Sequence, residues 1–228
     1  MSSYPRGSEW RKWDLHLHTP DSRLNQQFDG DWGVYLDALS NADLTVYGIT
    51  NYFCFAEGEL EKVRDGLKAR GSSQTALGNL EFRIDLANKD DEFINVHVLF
   101  AEHLSTTQIN HAIAHLRLVN TADPRGAHPI YCCDTDVRRA GLDFSKILVN
   151  FKDLVEHLKS HLSPFDYLVA CCPSGYGSFR PAAGDGRGGH LAIEIDKGCQ
   201  LAFGNERDRT FFLSTDRFDG AVQQPVLA

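Results

Sequence analysis

Short apolar runs of strand length alternate with amphipathic stretches of helical period through most of this chain, and that alternation narrows the fold more than any other feature. Residues 12–17 read as a buried strand after a polar lead-in. Residues 31–42 carry Val34, Leu36 and Leu39 at helical spacing, and residues 44–49 form a β-branched strand. Residues 57–70 make a charged amphipathic helix stopped by Gly71. Strands follow at 77–86 and 93–100, joined by the turn-rich Asn88-Lys89-Asp90-Asp91. Residues 106–119 read as a helix with Ile109, Ile113, Leu116 and Val119 on one face; 149–162 repeats the pattern, and 166–172 is a strand. A glycine-rich loop spans 173–189, a short element runs to Ile195, and strands are expected near 200–203 and 210–213. Strands alternating with helices argue for a parallel sheet with crossover helices, open or closed into a barrel.

The chain has 228 residues, 42% of them hydrophobic, enough to bury one α/β core without a second domain. A single domain over 1–228 is expected. No segment approaches the roughly 18 uninterrupted apolar residues of a membrane span, and the polar N-terminus lacks the apolar core of a signal peptide. A soluble cytoplasmic protein is the expectation. The six cysteines include the adjacent pairs Cys132–Cys133 and Cys171–Cys172 but no C-x-x-C, so reduced thiols are expected rather than a disulfide framework or zinc knuckle. A net charge of −8 without a Lys/Arg block argues against nucleic-acid binding through a basic face. Any nucleic-acid role would need local positive charge, metal ions or a partner domain.

The sharpest chemical signal is Trp13-Asp14-Leu15-His16-Leu17-His18-Thr19. Residues two apart on a strand point to one side, so His16 and His18 can face a single point, and imidazoles suit zinc, manganese or iron. Asp14 lies on the same face, where it could orient an imidazole from behind. The competing reading is two half-buried histidines alternating with Leu15 and Leu17. Three further segments put polar groups on strands: Gly48-Ile49-Thr50-Asn51-Tyr52, Leu80-Glu81-Phe82-Arg83 and Asn95-Val96-His97-Val98.

In this order and spacing, DLHLHT, GITNYF, LEFR and INVHVLF resemble the PHP (polymerase and histidinol phosphatase) superfamily. GSEWRKWDLHLHTP and GNERDRTFFL further resemble the PHP domain at the front of TrlF-type AAA/SMC-like ATPases. The resemblance covers nearly the whole chain. It implies a distorted (β/α)7 barrel with divalent ions at the strand ends, and hydrolysis of a phosphate ester by metal-activated water. Position by position it implies metal ligation by His16, His18, Glu81 and His97, with Glu81 able to bridge two ions. It also implies an ATPase region, in the same polypeptide or a partner, and a place in DNA repair or phage defence.

The departures bear on activity. Where the family reads T-D-H or T-D-Y, this chain has Thr50-Asn51-Tyr52; Asn51 is neutral, and Tyr52 is a hydrogen-bond donor or a packed aromatic. Glu81, Tyr52 and Asn51 are therefore the candidate catalytic residues. Cys172 stands where a histidine is expected. His128-Pro129 comes too early for that motif, so His128 reads as a surface or loop residue. Ser214-Thr215-Asp216-Arg217 lacks the histidine of the last motif, which suggests a barrel incomplete at its C-terminus, a fragment or a shortened protein with an exposed edge prone to aggregation. The 173–189 loop offers Arg180 and Arg187 to a phosphate, but contains neither a Walker A sequence nor a nucleophile elbow, and a plain surface loop competes with that reading.

Three functions follow: a divalent-metal phosphoesterase acting on a phosphorylated small molecule or nucleic acid, a catalytically degenerate PHP domain serving an ATPase, or an amidohydrolase-type enzyme. The last also uses H-x-H on a first barrel strand, but the ordered segments and the lack of a bridging lysine count against it.

Overall fold

The computed structural model describes residues 11–22, 24, 27–87, 91–121, 129–139, 146–172, 195, 198–204 and 226–227. Strand β1 (Trp13–His18) leads to helix α1 (Trp32–Asn41), β2 (Val46–Tyr52), α2 (Glu59–Ala69) and the long β3 (Thr75–Ala87). Strand β4 (Phe93–Phe100), α3 (Thr106–Ile113), β5 (Arg117–Asn120), β6 (Ile130–Tyr131) and α4 (Asp134–Arg139) follow. The order continues through β7 (Ile147–Leu148), α5 (Phe151–His161), β8 (Tyr167–Cys171), β9 (Leu201–Ala202) and β10 (Val226–Leu227).

Local chemistry fixes the helix ends. The Asp31 and Asn150 side chains accept from the Val34 and Asp153 amides at the starts of α1 and α5. Ser105 and Gln108 form a reciprocal capping box on α3. Gly71, at φ +71°, lets the chain turn out of α2.

The main sheet runs β1-β2-β3-β4-β8-β9, extended by β10. It is mixed: β1, β2 and β3 are parallel, β4 is antiparallel to both β3 and β8, and β8 to β10 are parallel again. It curls into a half-barrel and is richer in sheet than a (β/α)7 barrel, so the fold expected from the resemblance is corrected. The physical reason was in the sequence. The connection from Ala87 to Phe93 is far too short for a crossover, which needs about a dozen residues, and only an antiparallel pair can be closed that way. A three-stranded sheet, β6-β5-β7, joins the far half of β3 through a parallel bridge between Ile84 and Val149.

The expected helix over 106–119 also ends early. Its periodic apolar residues continue past Ile113, but Arg117–Asn120 pairs with β6 and β7, and Val119 is 39% exposed rather than part of a buried helical face. The expected strand near 210–213 lies outside the described residues.

One buried cluster holds these elements together. Tyr47, Ile49, Leu80, Phe82, Val96 and Val98 come from the sheet, Leu60 and Val63 from α2, and Leu154 and Leu158 from α5. None of the six cysteines forms a disulfide; Cys54, Cys132, Cys171 and Cys199 are buried. Among the described residues no helix is long and apolar enough to cross a membrane.

Candidate metal centre

Register brings the site together. Tyr52 pairs with Glu81 on β3, Glu81 with His97 on β4, and His97 with Ala170 on β8, so these residues form one row across the sheet. His18 pairs with Thr50, two residues before Tyr52, and therefore joins the same face. His18, Tyr52, Glu81 and His97 line a cavity of about 570 Å³.

Strand β1 enters it irregularly. Asp14 pairs with Tyr47 and Leu17 with Ile49, so three steps on β1 match two on β2, and a bulge lies at Leu15–His16. Its backbone presses on Gly48: a Cβ there would sit 2.1 Å from the Leu15 carbonyl oxygen. Glycine is required for this close approach. Asp14 accepts from the His16 backbone amide at 3.2 Å, so it steadies the bulge rather than an imidazole.

Beyond the bulge, three donor atoms converge. His16 Nε2 and His18 Nε2 lie 3.2 Å apart, and Glu81 Oε2 is 3.3 Å from the first and 3.8 Å from the second. The ligand atoms of this trio all lie within 4.8 Å of one another. Glu81 Oε1 accepts from Asn95 Nδ2 at 3.0 Å, but Oε2 is buried with no aligned hydrogen-bond donor. A buried carboxylate oxygen without a partner is costly. Its setting, facing two imidazole nitrogens at ion-pair distance, fits a divalent cation bound through two nitrogens and one oxygen.

The electrostatics favour neutral imidazoles. Burial, reinforced by His16, lowers His18 to about 4. Burial likewise lowers the fully enclosed His97 to about 3. Burial pushes Glu81 up, but the surrounding His16, His97 and His18 outweigh it and hold the carboxyl below its usual range. Metal binding needs this combination of bare imidazole nitrogen and ionised carboxylate.

His97 stands beside the trio, its ring 4.6 Å from that of His16 and 5.0 Å from Phe203. The Tyr52 ring stacks on His18 at 5.0 Å, with its hydroxyl 3.4 Å from His18 Nε2. Burial raises the Tyr52 pKa, so it remains a phenol able to donate. Cys172 lines the cavity too, and burial raises its thiol, with Cys171 and Glu81 adding to the effect.

Asn51 is placed elsewhere. Its Nδ2 donates to Glu59 at 2.8 Å and its Oδ1 accepts from the Tyr52 amide, which commits both polar ends away from the trio. Glu59 also accepts from Thr19 and the Ala56 amide, and burial raises its carboxyl pKa. Arg180, Arg187 and His128 lie outside the described residues.

Sequence reasoning passed over four participants: Ser22, within 3.1 Å of His18 Nδ1, and Asn79, Arg83 and Asn95. The signal was there for the strand residues. Asn79, Glu81 and Arg83 alternate with apolar neighbours on β3, as Asn95 and His97 do on β4, which marks a polar face inside an otherwise apolar sheet.

No family model matches the chain, and no curated protein gives a significant match.

Proposed function

We propose that the chain is a divalent-metal-dependent hydrolase of phosphate esters. The ion, zinc, manganese or iron, is held by His16, His18 and Glu81, and His97 extends the site. The observation that carries this reading is the buried Glu81 Oε2, without an aligned hydrogen-bond donor, facing two imidazole nitrogens at ion-pair distance. Bound there, the ion would neutralise phosphate charge and make water nucleophilic near neutral pH.

The chain's own residues supply the rest. Arg83, on the cavity wall two residues from Glu81, offers a cation to an anionic substrate. The Tyr52 phenol can donate to a substrate oxygen, and Phe28 and Phe203 exclude water from the walls. The likeness to PHP phosphoesterases in DLHLHT, LEFR and INVHVLF supplies the reaction class. The overall acidity favours a phosphorylated small molecule or nucleotide over a long nucleic acid. Six cysteines without a disulfide suit a reducing compartment, and the reading places the protein in the cytoplasm.

A second reading is a degenerate module serving an AAA/SMC-like ATPase. Two observations favour it: Asn51 is turned to Glu59, and the Cys172 thiol is held protonated.

Elemental analysis of the purified chain beside the His16→Ala/His18→Ala variant, followed by hydrolysis assays on p-nitrophenyl phosphate and its diester, separates these outcomes. The expected result is about one equivalent of metal, lost in the variant, with activity that disappears alongside it. Metal without hydrolysis supports the module. Equal metal content in both proteins refutes the site.

A further inference from the structure

We infer that Asn79 is a positioning residue: one amide fixes the tautomer of His97 and, through its other end, holds the β1 bulge that carries His16. Its bearing on activity rests on the metal-site reading above, but the tautomer does not.

Asn79 is fully buried on β3, two residues before Glu81. Its Nδ2 lies 2.7 Å from the Leu15 carbonyl oxygen and 3.1 Å from Thr50 Oγ1. A backbone carbonyl only accepts, so the NH2 end must face Leu15; turning the amide over would set two acceptors against each other. That choice leaves Oδ1 3.2 Å from His97 Nδ1. An amide oxygen only accepts, so Nδ1 carries the proton. His97, enclosed and neutral, has a single ring proton, and Nε2 is therefore left with its lone pair.

The other end of the amide meets a different need. Leu15 sits in the bulge, outside the regular pairing between Asp14 and Leu17, and its carbonyl crowds Gly48 instead of entering the ladder. Asn79 satisfies that stray acceptor from two strands away. β1 and β4 are not neighbours in the sheet, yet this one side chain couples the backbone of the first to the imidazole of the second.

A purely structural Asn79 would only satisfy Leu15, and His97 would keep its tautomer without it. Nitrogen-15 spectra of the imidazoles in the metal-free protein at pH 8 distinguish the two roles. Wild type is expected to show His97 protonated at Nδ1. Asn79→Asp keeps the acceptor and loses the donor, and should retain that tautomer. Asn79→Leu loses both, and should give a mixture or the Nε2–H form. Zinc affinity should fall about 10–100-fold in Asn79→Leu and by less in Asn79→Asp.

An Nε2–H wild type overturns the inference, and so does an unchanged Nδ1–H tautomer in Asn79→Leu. Should Asn79→Leu fail to fold, Asn79→Asp decides, because loss of the Nδ1–H form there is equally fatal. A wild type with the expected tautomers and no zinc affinity would sink the metal reading while leaving the role of Asn79 intact.

Discussion

Glu81 holds the most unequal pair of atoms in the cavity, one oxygen bonded to Asn95 and the other buried without a donor. In the metal-free protein the neighbouring imidazoles favour the ionised carboxylate; on the metal reading that second oxygen is also the anchor of the cation. Glu81→Gln should therefore split the two effects. Without metal the variant should melt at or below the wild-type temperature, because the imidazoles around Glu81 favour its ionised carboxylate in the folded protein. With zinc at about 100 times its Kd, the wild type should gain about 2.7 kcal/mol and Glu81→Gln almost nothing. Thermal melts with and without metal read this directly, and equal zinc stabilisation of both proteins would remove Glu81 from the ligand set. At this scale the sequence was informative about the candidate ligands and nearly silent about their supports. His16 and His18 declare themselves by spacing, whereas the alternating Asn79, Glu81 and Arg83 become meaningful only once β3 is known to be buried beside β4. Asn51 misled for the opposite reason. It sits in the motif position, but a buried glutamate eight residues further on, Glu59 at the start of α2, claims its amide.

Among the elements, β1 is the most specialised, because a bulge at Leu15–His16 immediately precedes its two converging imidazoles. Gly48 on β2 is what leaves room for it. Gly48→Ala should flatten the bulge or push the strands apart, at a cost of about 1–3 kcal/mol or more. Metal stoichiometry should fall with it, although no ligand has been touched. Denaturant titration and elemental analysis test the pair of effects, and a fully stable, fully loaded variant would show that the bulge is dispensable. The bulge was invisible in the sequence, since nothing in Leu15-His16-Leu17 distinguishes a regular strand from one with an extra residue. The direction of β4 was visible and was outweighed by the run of alternating strands and helices: the chain between Ala87 and Phe93 permits a hairpin and nothing else.

Across the whole molecule, the cost of enclosing neutral histidines appears as a dependence of stability on pH. His18 and His97 have folded values near 4 and 3, below the ordinary 6.5 of an unfolded chain. Above that ordinary value both states are neutral and the full stability is present. As the pH falls towards the folded values, the unfolded chain takes up protons that the native protein refuses, and stability is lost. In that window His97 alone contributes a slope of about 1.4 kcal/mol per pH unit. Urea titrations of the metal-free protein between neutrality and pH 4.5 should show it, and His97→Gln should flatten the curve. An unchanged slope in that variant would mean that His97 is not held neutral by its burial.

The same sheet divides the cavity mechanically. Glu81 and His97 sit inside the β3–β4 hairpin, in the middle of the sheet, while His16 and His18 ride on the terminal strand of the order, past an irregular step. Local opening begins where pairing is thinnest. The histidine side of the cavity is thus its yielding side and the carboxylate side its anvil. Amide exchange should be fast along β1 and slow along β4, and the residence time of anything gripped between them is set by how often the end strand frays, not by the unfolding of the molecule.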